Sequence, residues 1–248
     1  GKFFQEAAMA AAEEQKEDPA IIVAGEGWHP GVIGIVAARV KESFYKPTFV
    51  LSIGEDGTAT GSGRSISGIN LGEMVQSAHK HLLRGGGHAM AAGVTLKTGN
   101  IEAFTATLQE NCRKIAAKSP DIFIPKIHID AYLTPQAISL DLLDKLQTLA
   151  PYGSHNREPV FAITGFLNYI RPVGQNKNHA KLRLTGLNSS FIDGISFGAY
   201  ETNLGQFLQS HQGQRVTLVG KLKPNFFNGV TRIDLHVMDA CTGDWEEA

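Results

Sequence analysis

Apolar and polar residues follow two different patterns along this 248-residue chain, and the change falls near residue 120. Before it, short apolar runs alternate with segments of helical spacing. The pattern predicts strands at residues 20–25, 48–53, 58–62 and 93–97, and helices at residues 3–17, 31–44, 71–83 and 101–117. Alternating strands and helices indicate an α/β domain. In the second helix, Val32, Ile35, Val36 and Val40 share the face expected to be buried.

Beyond residue 120, short alternating runs are separated by polar turns. They predict strands at residues 126–133, 160–171, 180–187, 191–197, 215–221 and 229–238. Thr134 and Pro135 suit an N-cap and a first helical position, which predicts a helix from there to about residue 149. Another helix is predicted at residues 201–211. Five strands after residue 159, with a helix after the third, are typical of a five-stranded OB-type β-barrel.

The composition fits a globular protein, with 42% hydrophobic and 19% charged residues. Cys112 and Cys241 lie far apart, which argues against a disulfide framework and favours a reducing, cytoplasmic location. No apolar run approaches the ~20 residues of a membrane span, so no membrane partner is expected. Residues 1–18 lack the pattern of a signal peptide.

Charge is distributed unevenly although the formal net charge is only −1. Residues 157–241 hold nine Lys or Arg against five Asp or Glu. A locally basic module can follow the phosphates of a nucleic acid, although ordinary scatter of surface charge explains the excess equally well.

Two glycine-rich clusters are candidate phosphate-binding sites. Ser62, Gly63 and Arg64 offer a hydroxyl, an amide and a guanidinium, which suit a terminal phosphate. Gly86 and Gly87 belong to a three-glycine run, and His88 follows it, which places amides and an imidazole together in the manner of a helix start that favours anions. The alternatives are a glycine-rich turn with an exposed arginine, and close backbone packing beside a histidine.

Other motifs are weaker. The glycines around His29 follow the spacing GxGxxxG, one residue too long for a dinucleotide fingerprint, and no P-loop occurs. His29 still follows a predicted strand, where ligands bind in open α/β sheets, or it is a surface histidine beside Trp28. Clustered Asp and His motifs of the two-metal kind are not found in the sequence, so no metal ligand and no catalytic residue is assigned.

The predicted barrel interleaves cations with aromatic residues, as single-strand binding requires. The candidate cations are Arg171, Lys181, Arg183, Lys221 and Lys223. Phe226 and Phe227 are the candidate stacking residues, because they occupy a predicted hairpin at residues 224–229. Many of the other aromatic residues, among them Phe166, Tyr169, Phe191 and Phe197, are expected to fill the barrel.

The segments GWHPGVIGIVAARVKE, GSGRS, GGGHAMAAG and LAPYGSHNREPVF occur in this order. Together they resemble the C-terminal half of the RecJ family, bacterial 5′→3′ exonucleases specific for single-stranded DNA. The resemblance implies the end of a connecting helix at residues 1–17, a DHH-associated domain at 18–120, an OB domain at 121–242 and a tail at 243–248. It further implies a preceding DHH domain, which would hold Mn²⁺ or Mg²⁺.

The resemblance also implies site roles. Ser62 and Arg64 would bind the 5′-terminal phosphate, and Gly86, Gly87 and His88 would lie against the DNA backbone. His29 and His88 would border the active site, and the barrel would guide the strand in an enzyme of DNA repair and recombination. Because none of the family's metal-ligand motifs is present, the fragment is expected to bind single-stranded DNA without hydrolysing it.

Two other functions are compatible with the sequence. One is a free-standing nucleic-acid-binding module. The other is a different DHH phosphoesterase acting on short oligonucleotides, against which the appended barrel argues. A small-molecule oxidoreductase is disfavoured by the glycine spacing at residues 25–31.

Overall fold

The computed structural model describes residues 2–153 and 155–243, without the side chains of Lys2 and Phe227. Its contacts divide the chain into two compact units, Gly1–Lys126 and Ile127–Ala248. The predicted α/β domain followed by an OB-type barrel is confirmed. The domain limits given above stay predictions; Ile122 and Phe123 pack against the core of the first unit.

The first unit is a five-stranded mixed sheet covered on both faces by helices. The strand order is β1-β2-β3-β5-β4, in which only the β1–β2 pair is parallel. The strands are β1 (Ile21–Glu26), β2 (Thr48–Ile53), β3 (Thr58–Arg64), β4 (Arg84–Gly87) and β5 (Ala91–Lys97). The helices are α1 (Lys2–Glu13), α2 (Ile33–Phe44), α3 (Leu71–Ser77) and α4 (Ile101–Lys118).

Alternation along the strands sends their apolar side chains into two separate cores. Val23 and Val50 pack with α1 and α2 on one face of the sheet. Phe49 and Leu51 pack with α3 and α4 on the other, where Phe49 meets Phe104 edge-on. The sheet is therefore the middle layer of three.

Three predictions about the first unit are wrong in detail. Helix α2 begins at Ile33 after a turn, and Ile35 is 59% exposed instead of buried. Strand β3 continues through Gly63 and Arg64 instead of ending at Ser62. The glycine run forms strand β4, and no helix starts at His88. Residues 63–64 and the glycine run become strands because they pair with β5, and local sequence does not reveal these backbone partners.

The second unit is a closed barrel. Its strands are β6 (Ala131–Leu133), β7 (Phe161–Val173), β8 (His179–Thr185), β9 (Phe191–Ser196), β10 (Arg215–Phe227) and β11 (Val230–Thr242). The order is β10-β11-β9-β8-β7-β6, and pairing of β10 with β7 closes the five strands β7 to β11. Helix α5 (Leu140–Gln147) precedes the barrel, and α6 (Asn203–Ser210) lies between its third and fourth strands. This is the connectivity of an OB fold.

The structure corrects several predictions here too. The strand expected at residues 126–133 is only Ala131–Leu133. The helix expected from Thr134 is a 3-10 turn, Pro135–Ala137, followed by α5, whose N-cap is Ser139. The hairpin expected at 224–229 is present, but its turn is only Asn228 and Gly229, because β10 extends to Phe227.

The barrel interior is filled mainly by aliphatic side chains, including those of Leu167, Leu182, Leu184, Ile192 and Leu218. The expectation that many of the named aromatic residues fill it is therefore wrong. Phe166, Phe191 and Phe197 are half-exposed or more.

Candidate nucleic-acid interface

The register of the first sheet places a row of small residues beside Ser62. Ser62 lies opposite Gly93 of β5, and Gly93 lies opposite Gly86 of β4. Arg64 lies opposite Ala91. Because directly opposed residues point to the same face of a sheet, Ser62 and Arg64 border Gly86, Ala91 and Gly93, which are all exposed. We call these three residues the flat sheet face.

Arg64 is oriented by its own strand. Its Nη1 donates to Ser62 Oγ at 3.0 Å and to the carbonyl oxygen of Gly63 at 2.8 Å. Nε and Nη2 make no hydrogen bond to any residue that the structure describes. The guanidinium is therefore held in place with two donor nitrogens, Nε and Nη2, left over, a geometry suited to an oxyanion.

The first turn of α2 lies against the same two side chains. A Cβ at Gly34 would come within 3.0 Å of Arg64 Nη2 and 3.1 Å of Ser62 Oγ. The N-cap residue Val32 provides no side-chain hydrogen bond to the helix. The first amides of α2 and the Arg64 guanidinium thus lie on one side of the sheet, where both favour an anion.

Gly63 has a different role from its neighbours. Its position faces the core, and a Cβ there would lie 2.6 Å from the Phe49 ring and 2.7 Å from Leu71 Cδ2. Buried apolar side chains, not a ligand, therefore exclude a side chain at Gly63. The structure does not bring Gly63 together with Ser62 and Arg64 on the exposed face, because alternation along β3 separates them.

Within the glycine run, Gly86 faces open space, because a Cβ added there would have no atom within 4 Å. Gly87 is excluded from carrying a side chain by the carbonyl oxygen of Ala91, which would lie 2.4 Å from its Cβ. His88 is exposed in the β4–β5 turn.

The start of α3 does not serve as an anion site, because Leu71 N and Gly72 N donate to the carbonyl oxygens of Ala89 and His88 at 2.9 and 3.2 Å.

His29 lies in the exposed turn between β1 and α2. Its Nδ1 accepts a hydrogen bond from Gly31 N at 3.0 Å, and its carbonyl oxygen accepts one from Val32 N at 3.0 Å. The histidine therefore helps to shape the entry into α2. Trp28 beside it packs against Phe4 of α1, with ring centroids 4.8 Å apart.

On the barrel, the predicted cations lie on the outer surface, but four of the five are ion-paired. Lys181 Nζ is 3.0 Å from Asp234 Oδ2, and Arg183 Nε is 2.7 Å from Asp193 Oδ1. Lys221 and Lys223 both bind Glu158, Lys221 with 3.3 Å between Nζ and Oε2. Arg171 is in none of the ion pairs found among the described residues. Its Cζ lies 6.0 Å from the centre of the Tyr169 ring.

Of the two predicted stacking residues, Phe226 is 76% exposed. The side chain of Phe227 lies outside the described part of the chain. Sequence reasoning assigned no site role to Tyr169 or Phe191, which flank Arg183 on the outer surface. The alternation of side chains along β9 could have shown that Phe191 faces outward. Phe191 and Asp193 are two residues apart and therefore point to the same, outer side of the strand.

The acidic, histidine and cysteine side chains of the described residues do not cluster. Among residues 2–153 and 155–243, no three His, Cys, Asp or Glu side chains come together as metal ligands. None of the helices described is long and apolar enough to cross a membrane.

Comparison with family models assigns both units. Residues 17–114 match the DHHA1 domain, and residues 129–239 match the RecJ OB domain. A DHHA1 domain followed by a RecJ-type OB domain defines the class of this chain.

Similar proteins agree with that class. The single-stranded-DNA-specific exonuclease RecJ of Bacillus subtilis is 33% identical over 99% of this chain, and the E. coli RecJ is 31% identical over 82%. A crystal structure of Thermus thermophilus RecJ in complex with Mn²⁺ superposes with a TM-score of 0.75 at 25% identity over 98% of this chain. The chain belongs to the RecJ family, and it spans 30% of the B. subtilis protein and 34% of the T. thermophilus structure.

Proposed function

We propose that this chain is the substrate-binding part of a metal-dependent 5′→3′ exonuclease specific for single-stranded DNA, acting in DNA repair and recombination. Its relatives are RecJ exonucleases, of which it spans about a third. In this proposal a DHH domain holds the Mn²⁺ or Mg²⁺ ions and cuts the phosphodiester. We place the protein in the cytoplasm, where its two free thiols would stay reduced.

In the first unit, Ser62 and Arg64 bind the 5′-terminal phosphate. The observation that carries this assignment is the hydrogen bond between the two side chains beside the start of α2, which leaves Nε and Nη2 of Arg64 for the phosphate. The flat sheet face lets a DNA backbone approach without meeting any side chain larger than the Ala91 methyl. His88 lies against the backbone at the β4–β5 turn, and His29 borders the active site.

The test is fluorescence anisotropy with single-stranded oligonucleotides that carry a 5′-phosphate or a 5′-hydroxyl, at low salt without metal. Charge-assisted hydrogen bonds are worth ~1–3 kcal/mol, so the phosphorylated end should bind about 5- to 150-fold more tightly. Arg64→Ala should abolish the preference. Arg113→Ala is the control, since Arg113 is exposed on α4 at the other face of the sheet. Equal binding of both ends by the unaltered protein would contradict the phosphate site.

The chain by itself binds DNA and does not hydrolyse it. Incubation of a 5′-labelled single strand with the purified protein and Mn²⁺ should leave the strand intact. Mn²⁺-dependent release of nucleotides that co-purifies with the protein, and disappears in the Arg64→Ala variant, would overturn this part of the proposal.

A further inference from the structure

Arg183 on strand β8 is held by Asp193 of β9 through two parallel hydrogen bonds. Nε donates to Oδ1 at 2.7 Å, and Nη2 donates to Oδ2 at 3.0 Å. The Asp193 side chain is only 14% exposed, so the pair is partly shielded from water. The hydrogen bond to Asp193 also raises the pKa of Arg183. The guanidinium is fixed in one plane, and its charge is already compensated.

That plane is part of an aromatic cluster on the outside of the barrel. Arg183 Cζ lies 4.0 Å from the centre of the Phe191 ring and 5.7 Å from that of Tyr169. Phe191 is half-exposed. Because rings and guanidinium planes both stack on nucleobases, we call Tyr169, Arg183 and Phe191 the stacking cluster.

Three of the other four candidate cations are compensated in the same way, whereas Arg171, beside Tyr169, is in none of the ion pairs among the described residues. Lys181 pairs with Asp234, and Asn225 donates to the same carboxylate oxygen at 2.8 Å. Glu158 pairs with Lys221 and Lys223. Among the described residues of this face, the excess of basic residues therefore supplies few charges for neutralising phosphates.

We propose that the barrel holds single-stranded DNA mainly by stacking bases on Phe191 and Tyr169, and that Asp193 is a positioning residue that keeps Arg183 in the stacking cluster and away from the phosphates. The proposal rests on the proposed function, since it assumes a single-stranded DNA substrate. It replaces the simpler expectation that the barrel cations follow the DNA backbone.

Salt dependence distinguishes the two modes. Each phosphate neutralised on a single strand adds ~0.7 to the slope of log K against log salt. For a 5′-hydroxyl oligothymidine and the full chain, we expect a slope of magnitude about 1.5 or less. Asp193→Ala should release Arg183 towards the phosphates and steepen the slope by about 0.7.

Two further variants separate stacking from charge. Phe191→Ala should weaken binding about 5- to 150-fold at every salt concentration without changing the slope, since stacking is worth ~1–3 kcal/mol per base. Arg183→Lys keeps the charge but loses the flat plane, and should also weaken binding. Phe3→Ala, in an exposed phenylalanine of α1, is the matched control and should have no effect.

Each outcome decides a different point. If the unaltered protein does not bind the oligonucleotide, the proposed function and the stacking inference both fail. If it binds with a slope of magnitude about 3 or more, and Phe191→Ala or Arg183→Lys binds as well as the unaltered protein, the proposed function stands and the stacking inference is wrong.

Discussion

The ring of Phe49 fills the space that a side chain at Gly63 would need. A Cβ at Gly63 would lie 2.6 Å from both Cε1 and Cζ of Phe49. Phe49 itself is 1% exposed and cannot move into solvent. Gly63 thus allows β3 to lie close to the core while Ser62 and Arg64 on either side point to the opposite face.

Replacing Gly63 with alanine should destabilise the first unit by ~1–3 kcal/mol, because the added methyl overpacks the core around Phe49 and Leu71. Gly86→Ala, which meets no atom within 4 Å, is the control and should change stability by less than about 1 kcal/mol. Urea unfolding followed by Trp28 fluorescence in a Trp245→Phe background would measure both. Equal effects at the two glycines would contradict the packing role of Gly63.

A large side chain on the flat sheet face should obstruct the DNA. Gly86→Leu should reduce affinity for a 5′-phosphorylated single strand about tenfold, or ~1.4 kcal/mol, by standing where the backbone lies. Gly99→Leu introduces the same side chain at another open position and should leave affinity unchanged. Anisotropy titrations of both variants would decide, and unchanged binding by Gly86→Leu would remove the flat sheet face from the interface.

The two free thiols should differ sharply in reactivity. Burial raises the pKa of Cys112 to about 12, so only about one in 10,000 of its thiols is ionised at pH 8. Cys241 is less buried. A chromogenic thiol reagent at pH 8 should therefore modify one cysteine per native chain and two in denaturant, and Cys241→Ser should abolish the native reaction. Two equally fast native reactions would mean that Cys112 is accessible.

Glu158 should make the stability of the barrel depend on pH. Burial alone would raise its pKa, but hydrogen bonds and charge from Lys223 and Lys221 outweigh it and leave the pKa below the ordinary 4.5. A carboxyl with a lowered folded-state pKa stabilises the fold fully above its unfolded pKa, and the contribution is lost as the pH falls through the folded value. The stabilisation should therefore be complete at pH 6 and decline below about pH 4.5.

The variant Glu158→Gln should lower the unfolding midpoint at pH 7 and reduce its decline between pH 6 and 3. Glu201→Gln is the control, because Glu201 is a surface carboxylate of the same unit that, among the described residues, accepts a side-chain hydrogen bond from Asn178 alone. Urea unfolding followed by circular dichroism at several pH values would measure the difference. A Glu158→Gln profile parallel to that of the unaltered protein would exclude this ion-pair cluster as a source of the pH dependence.

Local pattern predicted those elements whose burial is complete along their length. The strand expected at residues 48–53 is β2 with the same bounds, because five of its six residues are buried between helices. The order of strands in the barrel was likewise accessible, since polar turns separate them. The hydrophobic pattern alone is sufficient to predict an element when all of its apolar residues enter one core.

The candidate site was less accessible from sequence because it is made by strand pairing. Nothing local to Gly86 indicates that it lies opposite Gly93, or that Gly93 lies opposite Ser62. The ion pairs on the barrel pose the same difficulty, since Lys221 and Glu158 are far apart in the chain. Residue types located the chemistry, whereas the register decided which groups share a face and which charges are compensated.

Strand β7 pairs with β10 along Phe161–Phe166 and with β8 beyond it. Strand β10, which pairs with the first half of β7, begins only at Arg215, roughly fifty residues later. At ribosomal rates of about 5–20 residues per second, this edge stays unpaired for about 2 to 10 seconds while the chain is made. An open β edge attracts other extended chains. The nascent protein thus passes through an aggregation-prone interval that ends when the closing strand leaves the ribosome.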